Sequence, residues 1–250
     1  MTAVPARVLL WCVSTRATAQ VTARARELLP AQDRERMARL RSAADRDEFA
    51  LSHAVLARCL GALTGVAPTA LRFAVRGEGK PELLGQGTGA RPAFSLSHTA
   101  GLTLLAVTWG SAVGADVERV RPVAAAKIAR RYFPAEEAAA VAARPVHTAP
   151  ELFFRLWVRK EASVKAWGGR LVQGLRTPVC PTARERPGDV TTLGGDGRPW
   201  RVRDLAGVAA PYLAAVAVPG QEARGRIEVR ALTVDEFLDR GPAAGRAVRE

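Results

Sequence analysis

Apolar residues run unbroken from Val8 to Val13, and that short block predicts a buried strand. Residues 17–41 are rich in Ala, Arg and Glu and read as helical, interrupted at Pro30. In 44–64, Phe49, Val55, Leu56, Leu60 and Leu63 fall near helical spacing, and Gly65 marks the end. Residues 71–75 read as a strand, followed by a turn-rich stretch from Gly77 to Pro92. Three short strands are then expected at 94–98, 102–110 and 113–120, with turns at Thr99–Gly101 and Gly110–Ser111. Residues 123–131, 135–143 and 150–167 read as helices. The Pro/Gly-rich stretch from Pro178 to Pro199 reads as loops, with late strands at 201–205, 212–218 and 226–232 and a flexible tail over 241–250.

The fold class is therefore α+β. Two segments look alike, LTLLAVTWG (102–110) and YLAAVAVPG (212–220), each a short apolar strand ending in Gly. A duplicated α+β unit would explain the likeness, as would chance between buried strands in an Ala/Val-rich chain. The duplication places a boundary near Trp109–Val113, dividing the chain into 1–112 and 113–240.

Composition narrows the function classes. With 48% hydrophobic residues the 250-residue chain is too apolar to be disordered, and no apolar run is long enough to span a membrane. The formal net charge is +13. It is spread evenly: 14 basic and 8 acidic residues in 1–113, 23 and 16 in 114–250. A nucleic-acid binder concentrates its charge on one element. A diffuse excess suits a basic surface, a polyanionic ligand or an acidic partner. Cys12, Cys59 and Cys180 are scattered, which argues against a disulfide framework or zinc site and for a reducing cytoplasm. Only four of the 37 basic residues are Lys: Lys80, Lys127, Lys160 and Lys165. In a chain that otherwise writes Arg, those positions invite a chemical reason, since an ammonium is a flexible point charge and a guanidinium a planar fork.

Four motifs could carry chemistry. In Gly114-Ala115-Asp116-Val117-Glu118, Asp116 and Glu118 share one strand face while Val117 points into the core. Paired carboxylates repel unless a cation lies between them, and Mg2+ is typically held by one or two carboxylates; a wet edge strand is the plainer explanation. In the helical segment Phe153–Ala166, Glu161 and Lys165 are i, i+4 neighbours, as an ordinary surface pair would also be. Ser95-Leu96-Ser97-His98 closes a strand with a hydroxyl and an imidazole that could meet phosphate or ribose. Gly77-Glu78-Gly79-Lys80-Pro81 is a Gly-rich turn without the spacing of a phosphate-cradling P-loop.

Taken in order, GKP, F-S-L-S-H, G-x-D-x-E and F-x-x-x-W-x-x-K-E-A-x-x-K resemble the Sfp-type (surfactin-type) 4′-phosphopantetheinyl transferases, from about residue 7 to residue 238. The segment Arg130-Arg131-Tyr132-Phe133-Pro134 between the last two resembles that family's R-F-F stretch. The resemblance implies a pseudo-twofold pair of α+β halves with coenzyme A (CoA) in the cleft between them. It implies Mg2+ on Asp116, Glu118 and Glu161, with Glu161 also a candidate general base. It places Lys160 and Lys165 at the CoA diphosphate, Lys80 at the GKP lysine, and Ser97 and His98 near the CoA 3′-phosphate. The implied partner is an acidic apo acyl or peptidyl carrier protein of polyketide, peptide or fatty-acid synthesis, met by a cytoplasmic monomer. Two positions depart from the family pattern: Glu48 stands where a basic residue is frequent, and Ala115 replaces Val or Ile. An inactive CoA- or carrier-binding relative is the alternative expectation.

Overall fold

In the computed structural model, which describes residues 7–76, 80–85, 91–179, 189–220 and 227–248, strand β1 (Val8–Ser14) is covered on both faces. Its Trp11 and Val13 enter one hydrophobic cluster and Val8, Leu10 and Cys12 another. A strand buried on both sides reads as an unbroken apolar run, not as an alternation. The first cluster is capped by the long helix α3 (Ala43–Thr64). Ser42 accepts the Asp45 N–H at its start, and Gly65 in the left-handed conformation ends it. Before it, Pro30 divides the expected helical stretch into α1 (Ala19–Glu27) and α2 (Ala31–Ala38).

After a two-stranded ribbon of β2 (Arg72–Arg76) and β3 (Lys80–Leu84), the chain forms β4 (Pro92–Thr99), β5 (Leu102–Trp109) and β6 (Gly114–Arg119). Helices α4 (Ala125–Tyr132), α5 (Ala135–Ala142), α6 (Ala149–Trp167) and α7 (Leu171–Arg176) follow. Then come β7 (Asp189–Leu193), β8 (Pro199–Asp204), β9 (Tyr212–Pro219), β10 (Ile227–Thr233), α8 (Val234–Arg240) and β11 (Arg246–Val248). One sheet has the order β11-β10-β1-β5-β4 and the other β6-β9-β8-β7. They face each other through Leu10, Leu104 and Ala106 on one side and Val113, Ala115, Val117 and Val216 on the other. The α3 helix covers the outside of the first sheet, and α6 covers the second over Ala215, Ala217 and Val202. The two sheets share a connectivity: β1-β5-β4 and β6-β9-β8 pair antiparallel in the same order, each with a long helix after its first strand.

Three expectations change. The turn-rich stretch before Pro92 holds β3, paired with β2 across Phe73 and Leu83. The Pro/Gly-rich stretch holds β7, paired antiparallel with β8. Residues after Arg240 form a 3-10 turn (Gly241–Ala243) and β11, which pairs with β10, instead of a flexible tail. The pairing satisfies backbone groups that the outer edge of β10 would otherwise leave open. Strand β10 itself runs parallel to β1. The last strands of the chain therefore complete the sheet that begins with β1. Among the described residues no helix is long and apolar enough to cross a membrane. Cys12 and Cys59 are buried free thiols, and Cys180 lies outside the described residues.

Alternation along β6 positions everything that follows. Ala115 and Val117 point into the sheet–sheet core, so Gly114, Asp116 and Glu118 share the face toward α6. A Cβ on Gly114 would fall inside the contact radius of the Ala162 carbonyl oxygen and the Ala166 amide nitrogen, both α6 backbone atoms. A backbone on both sides cannot yield as a flexible side chain can. Gly114→Ala is therefore expected to lower the unfolding free energy by about 2 kcal/mol. Urea denaturation measures it, and an unchanged midpoint would contradict the close approach.

Candidate active site

The α6 helix lies on β6 with Glu161 and Lys165, one turn apart, near the two strand acids. The Lys165 ammonium donates to Asp116 Oδ1 at 2.6 Å. The Ser97 hydroxyl donates to the same oxygen at 2.7 Å. Asp116 is 4% exposed, and its Oδ2 is buried without a hydrogen-bond partner. Glu118 Oε2 accepts from Arg121 at 2.9 Å and from the Thr99 hydroxyl at 3.4 Å. Burial pushes the Glu161 carboxyl up to about 7; the Asp116 charge adds to the shift, Lys165 opposes it and Glu118 adds again. The three carboxylates thus feel one another.

A hydroxyl ladder on β4 fixes the acidic strand. Ser95 Oγ accepts the Ala115 N–H at 2.9 Å, and Ser97 Oγ accepts the Val117 N–H at 3.4 Å while donating to Asp116. Ser95, Ser97 and Thr99 alternate at i, i+2 and so face β6 together. Ser97, expected near a 3′-phosphate, donates here to Asp116. Ser95 and Thr99 were not among the expected site residues. Their alternation is visible in the sequence, but the β4–β6 adjacency that gives it meaning is not.

The remaining residues separate into those at the cleft and one that is not. Lys80 donates to the Val113 carbonyl at 3.0 Å, just before Gly114, and burial lowers its ammonium to about 8. It lines two adjoining clefts of about 490 and about 300 Å3, which share Pro81, Phe94 and Gly168. The larger is walled by Trp167, and the smaller reaches Ser95, Lys165 and Leu171. His98 is exposed beside Glu48, with Nδ1 3.6 Å from Oε1, and the imidazole holds the Glu48 carboxyl below the usual glutamate range. The acid at the departing position therefore sits against the expected phosphate-binding histidine.

Lys160, expected at a diphosphate, is instead 0% exposed. Its ammonium lies 2.6 Å from Glu137 Oε2, donates to the Thr177 carbonyl at 2.5 Å and sits 4.9 Å from the Phe133 ring centre. Glu137 also accepts the Val179 N–H at 2.7 Å. The pair ties α5 and the chain after α7 to α6. Helix geometry separates the two lysines: residue 160 sits about 140° around the helix from 165, so they leave by different faces.

The donor set suits a divalent cation: three carboxylates, one with an orphaned buried oxygen. As they stand, no three His, Cys, Asp or Glu side chains among the described residues are gathered closely enough to hold a metal ion.

Two outcomes test this geometry. Truncating Lys160 leaves a buried carboxylate without its cation, so Lys160→Met is expected to cost about 3 kcal/mol in chemical denaturation; a change within error would remove its structural role. For Glu161, the raised folded-state value means the folded protein holds this proton more tightly. That contribution is present below the ordinary glutamate value of 4.5 and is lost as pH rises through about 7. Glu161→Gln is then expected to raise the melting temperature by about 3 °C at pH 8 and by less at pH 5. Equal shifts at both pH values would refute the carboxylate coupling.

Residues 112–217, the segment that holds β6, α6 and β9, match the sequence model of the 4′-phosphopantetheinyl transferase superfamily. The chain is 33% identical over 124 residues to the 4′-phosphopantetheinyl transferase HetI of Nostoc sp., an alignment covering 49% of this chain and 52% of that protein. It is 37% identical over 82 residues to the 4′-phosphopantetheinyl transferase psf-1 of Bacillus pumilus, covering 33% of this chain and 34% of that protein. The chain thus spans about half the length of the first relative and about a third of the second. The matched segment contains Asp116, Glu118, Glu161 and Lys165 together, and over residues 112–217 the chain is similar to the 4′-phosphopantetheinyl transferase superfamily.

Proposed function

We propose that this protein moves the 4′-phosphopantetheine arm of CoA to a serine of an apo acyl or peptidyl carrier protein, with Mg2+, releasing 3′,5′-ADP. The observation that carries the reading is the convergence of Asp116, Glu118, Glu161 and Lys165 at the edge of a cleft that Lys80 lines. The serine oxygen bonds to the β-phosphorus of CoA, the bond from that phosphorus to the bridging oxygen breaks, and the nucleotide leaves with the bridging oxygen. Such transfer needs alignment and charge neutralisation more than covalent help.

Asp116, Glu118 and Glu161 would hold the divalent cation, which when bound neutralises diphosphate charge. Asp116 is kept in place for this by Ser97. The Lys165 ammonium, on a mobile stem and 29% exposed, can offset charge growing on the bridging oxygen. Glu161 takes the serine proton, directly or through a water. Lys80 and His98 remain the proposed contacts to CoA, while Lys160 acts through packing. The nucleotide and an acidic carrier both suit a basic surface. One chain supplies every residue named, so a monomer suffices, and a reducing cytoplasm fits the scattered thiols.

Incubation of the protein with CoA, Mg2+ and a panel of apo carrier proteins is expected to add the mass of one phosphopantetheine arm at the carrier serine. Asp116→Ala and Glu161→Gln should each reduce the rate by at least about 100-fold without unfolding the chain. Binding of CoA with no mass gain on any carrier would favour the inactive-relative reading. Full activity of either variant would remove its assigned role.

A further inference from the structure

We infer that Lys165 is the resident cation of this site before any metal arrives, and that a divalent cation binds Asp116 by displacing the Lys165 ammonium. Asp116 Oδ1 already receives two donors, the charged Lys165 Nζ at 2.6 Å and the neutral Ser97 hydroxyl at 2.7 Å. Both lone-pair directions of that oxygen are used. Oδ2 of the same carboxylate is buried and has no donor. The acid is therefore half satisfied by protein and half open. Glu161, one helical turn before Lys165, shares the like-charge crowding of Asp116 and Glu118, and Lys165 relieves it. Arg121 pairs with Glu118, so the Lys165 ammonium is left to serve Asp116, with Glu161 close by.

A divalent cation cannot simply join this arrangement. Magnesium demands oxygen ligands in a near-octahedral shell. An ammonium at hydrogen-bond distance from a ligating carboxylate lies only a few ångströms from the metal, where two positive charges repel strongly in a partly desolvated site. Lys165 is the movable partner: its side chain is 29% exposed on a flexible stem, whereas Asp116 is locked by Ser97 and the strand. The smaller cleft that Lys165 lines is open to receive it. An anion in that cleft gives the released ammonium a new partner, so cation and anion each improve the other's binding, and the coupling is reciprocal. The identity of that anion as the CoA diphosphate rests on the proposed function; the exchange of Lys165 for the metal does not.

The test uses Mn2+ as probe on the full chain without CoA, read by the loss of the free-ion electron paramagnetic resonance signal. Lys165→Gln is expected to bind Mn2+ about 10-fold or more tightly than the native protein. Equal or weaker binding by the variant overturns the inference. A second measurement needs no mutation. The chain has only four lysines, so their side-chain ammonium nitrogens give a simple NMR spectrum. Saturating Mg2+ is expected to shift the Lys165 signal while the Lys160 signal, held by Glu137, stays in place; an unmoved Lys165 signal also overturns it. Displacement without carrier modification would sink the transferase reading alone, and carrier modification without displacement would sink this inference alone.

Discussion

The close approach of α6 to β6 at Gly114 is the constraint on which the site depends. Backbone meets backbone there, with no side chain between the strand and Ala162 and Ala166. The helix can then carry Glu161 and Lys165 within reach of Asp116, because the next same-face residues on the strand are Asp116 and Glu118. A larger residue at 114 would lift the helix, and the 2.6 Å contact between Lys165 and Asp116 would be an early loss. The glycine is therefore part of the acid site although it touches no ligand. A second glycine packs against the same helix: a Cβ on Gly174 would run into the Val164 side chain, so α7 lies close beneath the residues that lead to Lys165.

The opposing side of the acids is held by the first sheet. Strand β4 reaches across with Ser95 and Ser97, and Lys80 on β3 reaches the Val113 carbonyl. Hydrogen bonds buried in this way are costly to leave unmade, so the two sheets resist separation at the place where the site lies. Parallel pairing of β10 with β1 adds a link in the other direction, from the second half of the chain into the first sheet. A cleft between halves needs walls that do not drift apart, and this interlock supplies them.

How far the sequence spoke depended on the range of the interaction. Within one strand or helix, local pattern sufficed: Asp116 and Glu118 on one face, Val117 in the core, Gly65 closing the long α3 helix. Contacts between distant segments were less legible. The Ser95/Ser97/Thr99 ladder acquires its function only beside β6, and β3, β7 and β11 are short strands whose composition reads as turn or tail. Their pairing partners, not their own residues, make them strands. The buried pairing of Lys160 was illegible for the same reason, since its partner Glu137 is 23 residues away on a different helix.

The scarcity of lysine was informative, but for two different physical reasons. At 165 the useful property is mobility, since a point charge on a flexible stem can leave one anion for another. At 160 it is compactness. The ammonium there meets a carboxylate, a backbone carbonyl and an aromatic face from three directions. Three donors on one small, rotatable centre can satisfy such a set in a cavity with no solvent, and a planar guanidinium, whose donors lie in one plane, matches it poorly. The same residue type, one turn and a fraction apart on one helix, thus anchors the scaffold on one face and supplies a transferable charge on the other. Buried contacts hold Lys160, while the Lys165 side chain stays partly exposed beside Asp116.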